Sequence, residues 1–160
     1  MRLAWRTGLA VGVTEQCDLP DAQDRVRVGS FSRPDPARIR ELAPDLVLAH
    51  GRIQAGVVDE LRGQGLHVSA HDPRTVEEVL EGIEEIARLA GRGELGEVAV
   101  ASLRARVRAV KERVRSLPPV RVFRLMTEDP LVALTRSSYQ YDAIHLAGGT
   151  CLPLDFAEPY

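Results

Sequence analysis

The segment ELAPDLVLAHG, residues 41–51, constrains the fold more than any other part of this 160-residue chain. Pro44 ends the preceding helix, and the apolar run from Leu46 to Ala49 follows at once. A continuously apolar run is typical of a strand that is covered on both faces. The later segment LHVSAHD repeats the arrangement, with a second strand over Leu66–Ala70. Helix and strand alternate here, which predicts an α/β fold with a parallel pair and a right-handed crossover.

Caps and apolar spacing predict the helices. Asp35 and Pro36 start a helix that runs to about Ala43. A short helix holds Val57, Val58 and Leu61 and ends at the glycines 63 and 65. Thr75 and Glu78 form a capping box for the next helix, and a long amphipathic helix follows over Glu94–Leu117. Ser137 or Ser138 caps the last helix, which runs through Ala147.

Three further strands are expected outside this central region. Short apolar runs indicate strands at Val11–Val13 and Val26–Val28. The segment VRVFRLM predicts one strand over Val120–Met126, directly after the helix-breaking prolines 118 and 119. The whole pattern is that of an α/β protein.

The charge balance excludes some functions. The net charge is −2, which gives no electrostatic reason to expect a nucleic-acid partner. One side of the long helix is basic, and alternating glutamates favour its interpretation as a solvated surface.

No apolar run approaches the ~18 residues of a membrane span. The first residues make a poor signal peptide, so we expect no export signal in the chain as written.

Two possible motifs lose their chemical meaning in context. Residues 91–96 match G-x-G-x-x-G, but a helix precedes them, whereas a dinucleotide site needs a strand there; we interpret them as a turn between helices. His67 and His71 on a strand lie about 13 Å apart at ~3.3 Å per residue, too far to share one metal ion. We therefore predict no metal site and no cofactor, and no catalytic triad pattern is present.

The two strands of the central region both end in histidine, His50 and His71. In parallel sheets the carboxyl ends of the strands open onto the ligand crevice, so the two following loops should lie side by side at one rim. Two interpretations stay open: each histidine bonds a nearby carbonyl, or it contacts a ligand. A shared metal or haem iron is a weaker alternative, because no third ligand is evident.

Six segments taken together resemble a known family. They are VGVTEQCDLP, VGSF, DPARIRELAPDLVLAHG, VVDELRGQGLHVSAHDPRTVEEVLEGIEEIARLAGR, RVFRL and AIHLAGG. Their order and spacing resemble the class III solute-binding proteins of ABC importers, the receptors for cobalamin, haem and ferric siderophores. The resemblance runs from about Val11 to Gly149 and implies two α/β lobes joined by a long rigid helix. The implied division is an N-terminal lobe at 1–92, the linking helix at 93–118 and a partial C-terminal lobe at 119–160.

The resemblance also implies a function and its residues. Proteins of this family hold a ligand between the lobes and deliver it to a membrane permease, so no enzyme activity is expected. In this chain the matching loop positions lie in both lobes. They are Gln16, Cys17, Phe31, His50, Gly51, Arg52 and Asp72 in the first lobe, and Arg136 and Tyr139 in the second. Phe31 would pack on a flat macrocycle, and Arg52 or Arg136 would pair with a ligand carboxylate or phosphate.

The match has departures that affect the partners. Ala37 stands where the family has a glutamate that docks on the permease, and Glu41 lies one turn away. The family is periplasmic or extracellular, whereas the absence of an export signal leaves the cytoplasm open. The second lobe is short by family standards, which predicts self-association through the Val120–Met126 region. The alternative function is a small cytoplasmic α/β enzyme or regulatory domain that uses His50 and Asp72; a purely structural role is a third.

Overall fold

The computed structural model describes residues 9–18, 22–129 and 132–152. The chain divides into two units, Met1–Asp72 and Pro73–Tyr160. The sequence-based boundaries near residues 92 and 118 concern the lobes of the whole protein and stay a prediction. None of the described helices is both long and apolar enough to cross a membrane.

The described residues of the first unit form two parallel strand pairs and two helices. Its elements are β1 (Gly12–Val13), β2 (Val26–Arg27), α1 (Pro36–Glu41), β3 (Val47–His50), α2 (Ala55–Gly63) and β4 (Val68–His71). Strand β1 pairs with β2, and β3 pairs with β4, both in parallel. The predicted parallel pair of the central region is therefore confirmed.

Local chemistry explains where α1 begins. Asp35 Oδ1 accepts hydrogen bonds from the N–H groups of Ala37 and Arg38, at 3.0 and 3.2 Å. Pro36 occupies the first helical turn, where its missing N–H costs nothing. The helix ends before Pro44, as predicted, and Ala43 takes a positive φ of 43° at this point. The chain then enters β3 directly.

The core of the first unit lies on one face of the β3–β4 pair. The fully buried members of this cluster are Val28, Ile39, Val58, Leu61 and Val68. Val47, Ala49 and Ala70 project from the sheet and pack against the cluster. Helices α1 and α2 thus cover this face with their apolar sides.

The other face of β3 corrects one expectation. The apolar run predicts a strand covered on both faces, but Leu48 is 49% exposed. Side chains alternate along a strand, so Leu48 and His50 share the face that points away from the core. Their registered neighbours on β4, Ser69 and His71, lie on the same face and are half-buried. Composition alone does not separate this half-open face from a covered one.

In the second unit, the part of the chain that the structure describes forms a helical hairpin, a further helix and two short strand pairs. Its elements are α3 (Val76–Leu89), α4 (Gly93–Val114), β5 (Val120–Val122), β6 (Leu125–Thr127), β7 (Val132–Ala133), α5 (Tyr139–Leu146) and β8 (Gly149–Cys151). Strand β5 pairs in parallel with β8, and β6 pairs antiparallel with β7. The 22 residues of α4 span roughly 33 Å at 1.5 Å per residue, close to the predicted length.

The predicted single strand over Val120–Met126 is wrong. The chain leaves the β5 ladder at Phe123 and Arg124 and enters a second strand with a different partner. Leu152 N–H donates to the Val122 carbonyl at 2.9 Å, which completes the β5–β8 pairing at its end. The apolar alternation breaks at Phe123, directly after Val122, but the sequence does not show that the chain takes a new partner there.

The G-x-G-x-x-G segment joins α3 to α4, as the interpretation of a turn between helices predicts, and two of its glycines have structural roles. Gly91 takes a positive φ of 67° at the end of α3. A Cβ on Gly96 would lie 2.4 Å from Ala87 Cβ, so only glycine permits this close approach of α4 to α3. At the other end of the contact, Arg104 bonds Glu77 and Glu84 of α3. These hydrogen bonds raise the pKa of the Arg104 guanidinium.

Substitution of Gly96 by alanine tests the close helix contact. The added methyl group must push α3 and α4 apart, and overpacking of this kind costs about 1–3 kcal/mol. We expect a lower urea midpoint for Gly96→Ala, measured by circular dichroism. Gly93→Ala is the control in the same helix, since a Cβ there meets nothing within 4 Å. Equal midpoints for the two variants would contradict the packing role.

Candidate functional site

The loops that follow β3 and β4 meet at one rim of the first unit. His50 and His71 are registered partners at the ends of the two strands. Gly51 N–H donates to the His71 carbonyl at 2.9 Å, which extends the pairing one residue beyond β3. A Cβ on Gly51 would lie 3.2 Å from Asp72 Cβ. The predicted adjacency of Gly51 and Asp72 is therefore present.

Charged side chains converge on Asp72. Arg52 Nε lies 2.5 Å from Asp72 Oδ2, and His50 Nε2 lies 3.8 Å from Asp72 Oδ1. The Arg52 contact is an ion pair without hydrogen-bond alignment, because Nε is left without a hydrogen-bond partner among the described residues. Arg52 Nη1 and Asp72 Oδ1 are also buried and lack such a partner there. Buried polar atoms of this kind normally bond a water or a ligand.

His50 is oriented by its own turn. Its Nδ1 accepts a hydrogen bond from Ile53 N–H at 3.4 Å, which favours the tautomer with the proton on Nε2. That Nε2 faces Asp72. His71 instead lies 2.9 Å from Ser69 Oγ through its own Nε2. The two histidines end neighbouring strands, but each ring nitrogen toward the rim already faces a polar group.

Phe31 lies against His50, with ring centroids 6.0 Å apart at an edge-to-face angle of 89°. Two glutamines hold its backbone. Gln16 Oε1 accepts from Phe31 N–H at 2.7 Å, and Gln54 Nε2 donates to the Phe31 carbonyl at 2.6 Å. The sequence placed Gln16 among the candidate ligand contacts, and its side-chain oxygen is committed here to the Phe31 loop.

Gln54 is the site residue that the sequence analysis missed. It is only 8% exposed, at the N-cap of α2. Its Oε1 accepts a hydrogen bond from His50 N–H at 2.7 Å, while its Nε2 donates to the Phe31 carbonyl. One side-chain amide thus fixes the backbone of both His50 and Phe31. A polar residue four positions after His50, at the start of an amphipathic helix, is the signal that could have indicated it.

Cys17 enters the site through its backbone. Its carbonyl and that of Thr14 both accept hydrogen bonds from Arg27 Nη1, each at 2.9 Å. Arg27 thereby closes the loop that follows β1, the loop that carries Gln16. The Cys17 thiol is free.

The two remaining candidates lie in the second unit. Arg136 Nη1 donates to Tyr141 Oη at 3.3 Å, and its guanidinium carbon lies 6.0 Å from the Tyr141 ring centroid. Tyr139 begins α5 with an exposed side chain, after the buried N-cap Ser138. In the same helix Asp142 Oδ2 accepts from Val76 N–H at 2.8 Å and so fixes the start of α3. Arg136 and Tyr139 thus flank a well-anchored helix start.

The donor set of the rim is mixed rather than metal-like. The part of the chain that the structure describes holds no cluster of three or more His, Cys, Asp or Glu side chains that could hold a metal ion. An aromatic ring, a guanidinium and a carboxylate lie together instead. The carboxyl ends of parallel strands are a typical location for small-ligand sites, which makes this rim the candidate site.

Comparison with known families agrees with this class of site. Residues 4–152 match the family described as periplasmic binding protein. The chain belongs to that family, and the resemblance found in the sequence is confirmed. Family members are periplasmic.

Among individual relatives, the chain is similar to vitamin B12-binding proteins. The chain is 26% identical to the vitamin B12-binding protein of Vibrio cholerae over 99% of this chain and 59% of that relative. It is 27% identical to the Salmonella typhi vitamin B12-binding protein over 94% of this chain and 57% of the relative. The chain thus spans about 59% of the length of the first curated relatives it matches.

Solved structures give the same picture. The periplasmic vitamin B12 binding protein of Vibrio cholerae superposes with a TM-score of 0.83 at 26% identity, covering 94% of this chain and 60% of that one. A periplasmic heme binding protein from Pseudomonas aeruginosa superposes with a TM-score of 0.76 at 20% identity, covering 93% and 58%. At that identity the second likeness shows the fold alone. The predicted α/β class is confirmed.

Replacing Gln54 by methionine tests its role at the rim. Methionine keeps the size of the side chain but removes both hydrogen bonds, which leaves Phe31 O and His50 N unpaired at a cost of about 1–3 kcal/mol. We expect a lower urea midpoint and faster amide hydrogen exchange at His50. Gln64→Met is the control, because Gln64 is exposed and its amide bonds only the Glu60 side chain. Unchanged exchange at His50 in Gln54→Met would contradict the role.

Proposed function

We propose that the protein is the substrate-binding component of an ABC importer and captures an iron complex or cobalamin. Family membership and the vitamin B12-binding relatives support the proposal. The observation that carries it is the meeting of the β3 and β4 loops at one rim, with Phe31, His50, Arg52 and Asp72 gathered there.

The chemistry of the rim suits a ligand that is partly flat and partly polar. Phe31 is partly exposed and offers an apolar surface for a macrocycle. Arg52 Nη1 offers a donor and Asp72 Oδ1 an acceptor, and both lack a partner among the described residues. A ligand carboxylate or phosphate on Arg52 would satisfy that donor through a charge-assisted hydrogen bond. Asp72 would accept from a ligand amide or hydroxyl.

The remaining candidate residues keep defined places in this proposal. Gln16 and Gln54 hold Phe31, and Gly51 leaves room beside Asp72 because it has no side chain. Arg136 and Tyr139 are the proposed ligand contacts of the second unit. Cys17 contributes its loop. No bond of the ligand is made or broken in such a mechanism.

We further propose that the protein acts in the periplasm and delivers its ligand to a membrane permease. Ala37 is exposed on α1, where the family resemblance implies a docking glutamate, and Glu41 is exposed at the end of the same helix. We propose Glu41 as the replacement contact. The relatives found are binding proteins, so the alternative of a small enzyme that uses His50 and Asp72 has no support among them.

A spectral titration with haem, cobalamin and a ferric siderophore tests the proposed function. We expect saturable binding of one of these ligands. Loss of a charged hydrogen bond costs about 1.5–3 kcal/mol, so Arg52→Gln should weaken an anionic ligand at least tenfold. A Soret shift that disappears in His50→Ala would select haem, although His50 Nε2 must first turn away from Asp72.

The controls use residues of the same type away from the rim. His67→Ala removes an exposed histidine before β4, and Arg40→Gln removes an exposed arginine of α1. Both should bind like the parent protein. Absence of binding for all three ligands contradicts the proposal, and equal losses in His50→Ala and His67→Ala contradict the placement of the site.

We also propose that the protein self-associates through the segment of β5 and β6. Val120 and Phe123 are 65% and 52% exposed, and among the described strands β5 pairs only with β8, so its other edge is open. Light scattering at high concentration should show a dimer, and Val120→Lys with Phe123→Lys should return it to a monomer. Val98→Lys on α4 is the control for an equally exposed valine. A clean monomer of the parent protein refutes this association.

A further inference from the structure

The C-terminal half of α4 carries a local excess of positive charge, although the chain as a whole is slightly acidic. The whole chain has 21 basic and 23 acidic residues, yet residues 104–115 contain six arginines and lysines and one acid, Glu112. We name five of these side chains the cationic end of α4: Arg106, Arg108, Lys111, Arg113 and Arg115. Sequence alone suggested alternating glutamates along this helix, and the structure shows where those glutamates are.

The helical hairpin separates the two signs of charge. Helices α3 and α4 are antiparallel, because Gly96 lies against Ala87 near the turn and Arg104 reaches Glu77 near the start of α3. Beyond Arg104, α4 therefore extends past the first turn of α3 and past its glutamates. Glu94 and Glu97 belong to the opposite end of α4. The acidic residues of α3 therefore do not extend along the cationic end.

Four of the five cations of this end make no ion pair with any residue that the structure describes. Among the described residues, Arg115 pairs weakly with Glu112 at 3.6 Å, with both side chains exposed. Arg106, Arg108 and Lys111 are exposed and make no ion pair with any described residue, and the same holds for Arg113. Mutual repulsion of these charges is relieved only by an anionic surface or by salt.

The arrangement around the helix indicates the shape of that surface. At 100° per residue, Arg108 and Arg115 lie on one flank and Arg106 and Arg113 on the other, with Ala105, Ala109 and Glu112 between them. The exposed Val110 lies next to Arg106 and Arg113 on the side away from Glu112, and Leu117, just beyond the helix, is 61% exposed. Cations beside exposed apolar side chains suit a helix that lies along a bilayer surface.

Other occupants fit this surface less well. A packed protein element would have to bury several arginines, which is costly unless each finds a partner. Single-stranded nucleic acid is usually held by aromatic stacking as well as charge, and residues 104–117 contain no aromatic side chain. A bilayer needs neither a fixed set of partners nor stacking.

We propose that the cationic end of α4 docks on a bilayer surface that carries anionic headgroups. The charges of Arg106, Arg108, Lys111 and Arg113 bind the headgroup phosphates, and Leu117 enters the interface. This surface is distinct from the rim of the first unit, so the inference stands independently of the proposed ligand.

Sedimentation with large vesicles tests the proposal on the full chain. Vesicles of phosphatidylcholine with about a third phosphatidylglycerol should bind the protein, whereas vesicles of pure phosphatidylcholine should not. Added salt should release the bound protein. The variant Arg108→Gln, Lys111→Gln, Arg113→Gln should bind on the order of a hundredfold more weakly, since each basic residue near such a surface strengthens binding roughly fivefold. Glutamine preserves helix propensity, and circular dichroism verifies the fold.

The matched control removes the same charge elsewhere. Arg40, Arg88 and Arg92 are exposed arginines, and their replacement by glutamine changes the net charge equally. This control should bind anionic vesicles within about twofold of the parent, because its cationic end is intact. Equal losses in the two triple variants, binding to neutral vesicles, or binding to a DNA duplex but not to vesicles would each overturn the proposal.

Discussion

The parallel register of β3 and β4 is the constraint on which the candidate site depends. It pairs His50 with His71 and carries Gly51 onto the His71 carbonyl. A slip of one residue would turn Val47 and Ala49 out of the core and bring Leu48 and His50 in, since side chains alternate along a strand. The hydrophobic cluster around Leu61 and Val68 therefore fixes the register, and the register fixes the rim.

Gln54 transmits this order to the neighbouring loop. The strand pair alone positions His50 and Asp72. Phe31 lies in a different loop, which does not follow either of these two strands. The buried Gln54 amide joins the Phe31 carbonyl to the His50 N–H, and Gln16 accepts a hydrogen bond from the Phe31 N–H. An aromatic contact surface is thus attached to the sheet by hydrogen bonds rather than by packing, which explains why Phe31 remains half-exposed at its ring.

Sequence reasoning succeeded where a local rule determines the outcome. Proline after a helix, an Asp–Pro start and a Thr-x-x-Glu cap are chemical instructions that act over a few residues, and α1, α3 and β3 follow them. Even there the details differ: Glu78 accepts from Arg74 N–H rather than closing the capping box on Thr75.

It failed where the outcome depends on partners distant in sequence. The break at Phe123 follows from the different partners of β5 and β6, and the exposure of Leu48 depends on what covers the second face of the sheet. Gln54 looks like an ordinary polar residue until the fold brings Phe31 to it. The rim could be predicted because parallel strands share an edge, whereas its hydrogen bonds could not.

The pairing of Arg52 with Asp72 bears on what kind of ligand the rim can recognise. A fully bonded ion pair would present no free donor or acceptor and would leave selection to shape and to Phe31. Here one carboxylate oxygen of Asp72 and two guanidinium nitrogens of Arg52 are buried but unbonded among the described residues, a costly state unless a water or a ligand bonds them. A ligand that places an anion near Arg52 recovers that cost, whereas a purely apolar molecule leaves it in place. In the proposed function, these unpaired groups would penalise a ligand that leaves them unbonded and stabilise one that bonds them, which makes Arg52 and Asp72, rather than Phe31, the proposed source of selectivity.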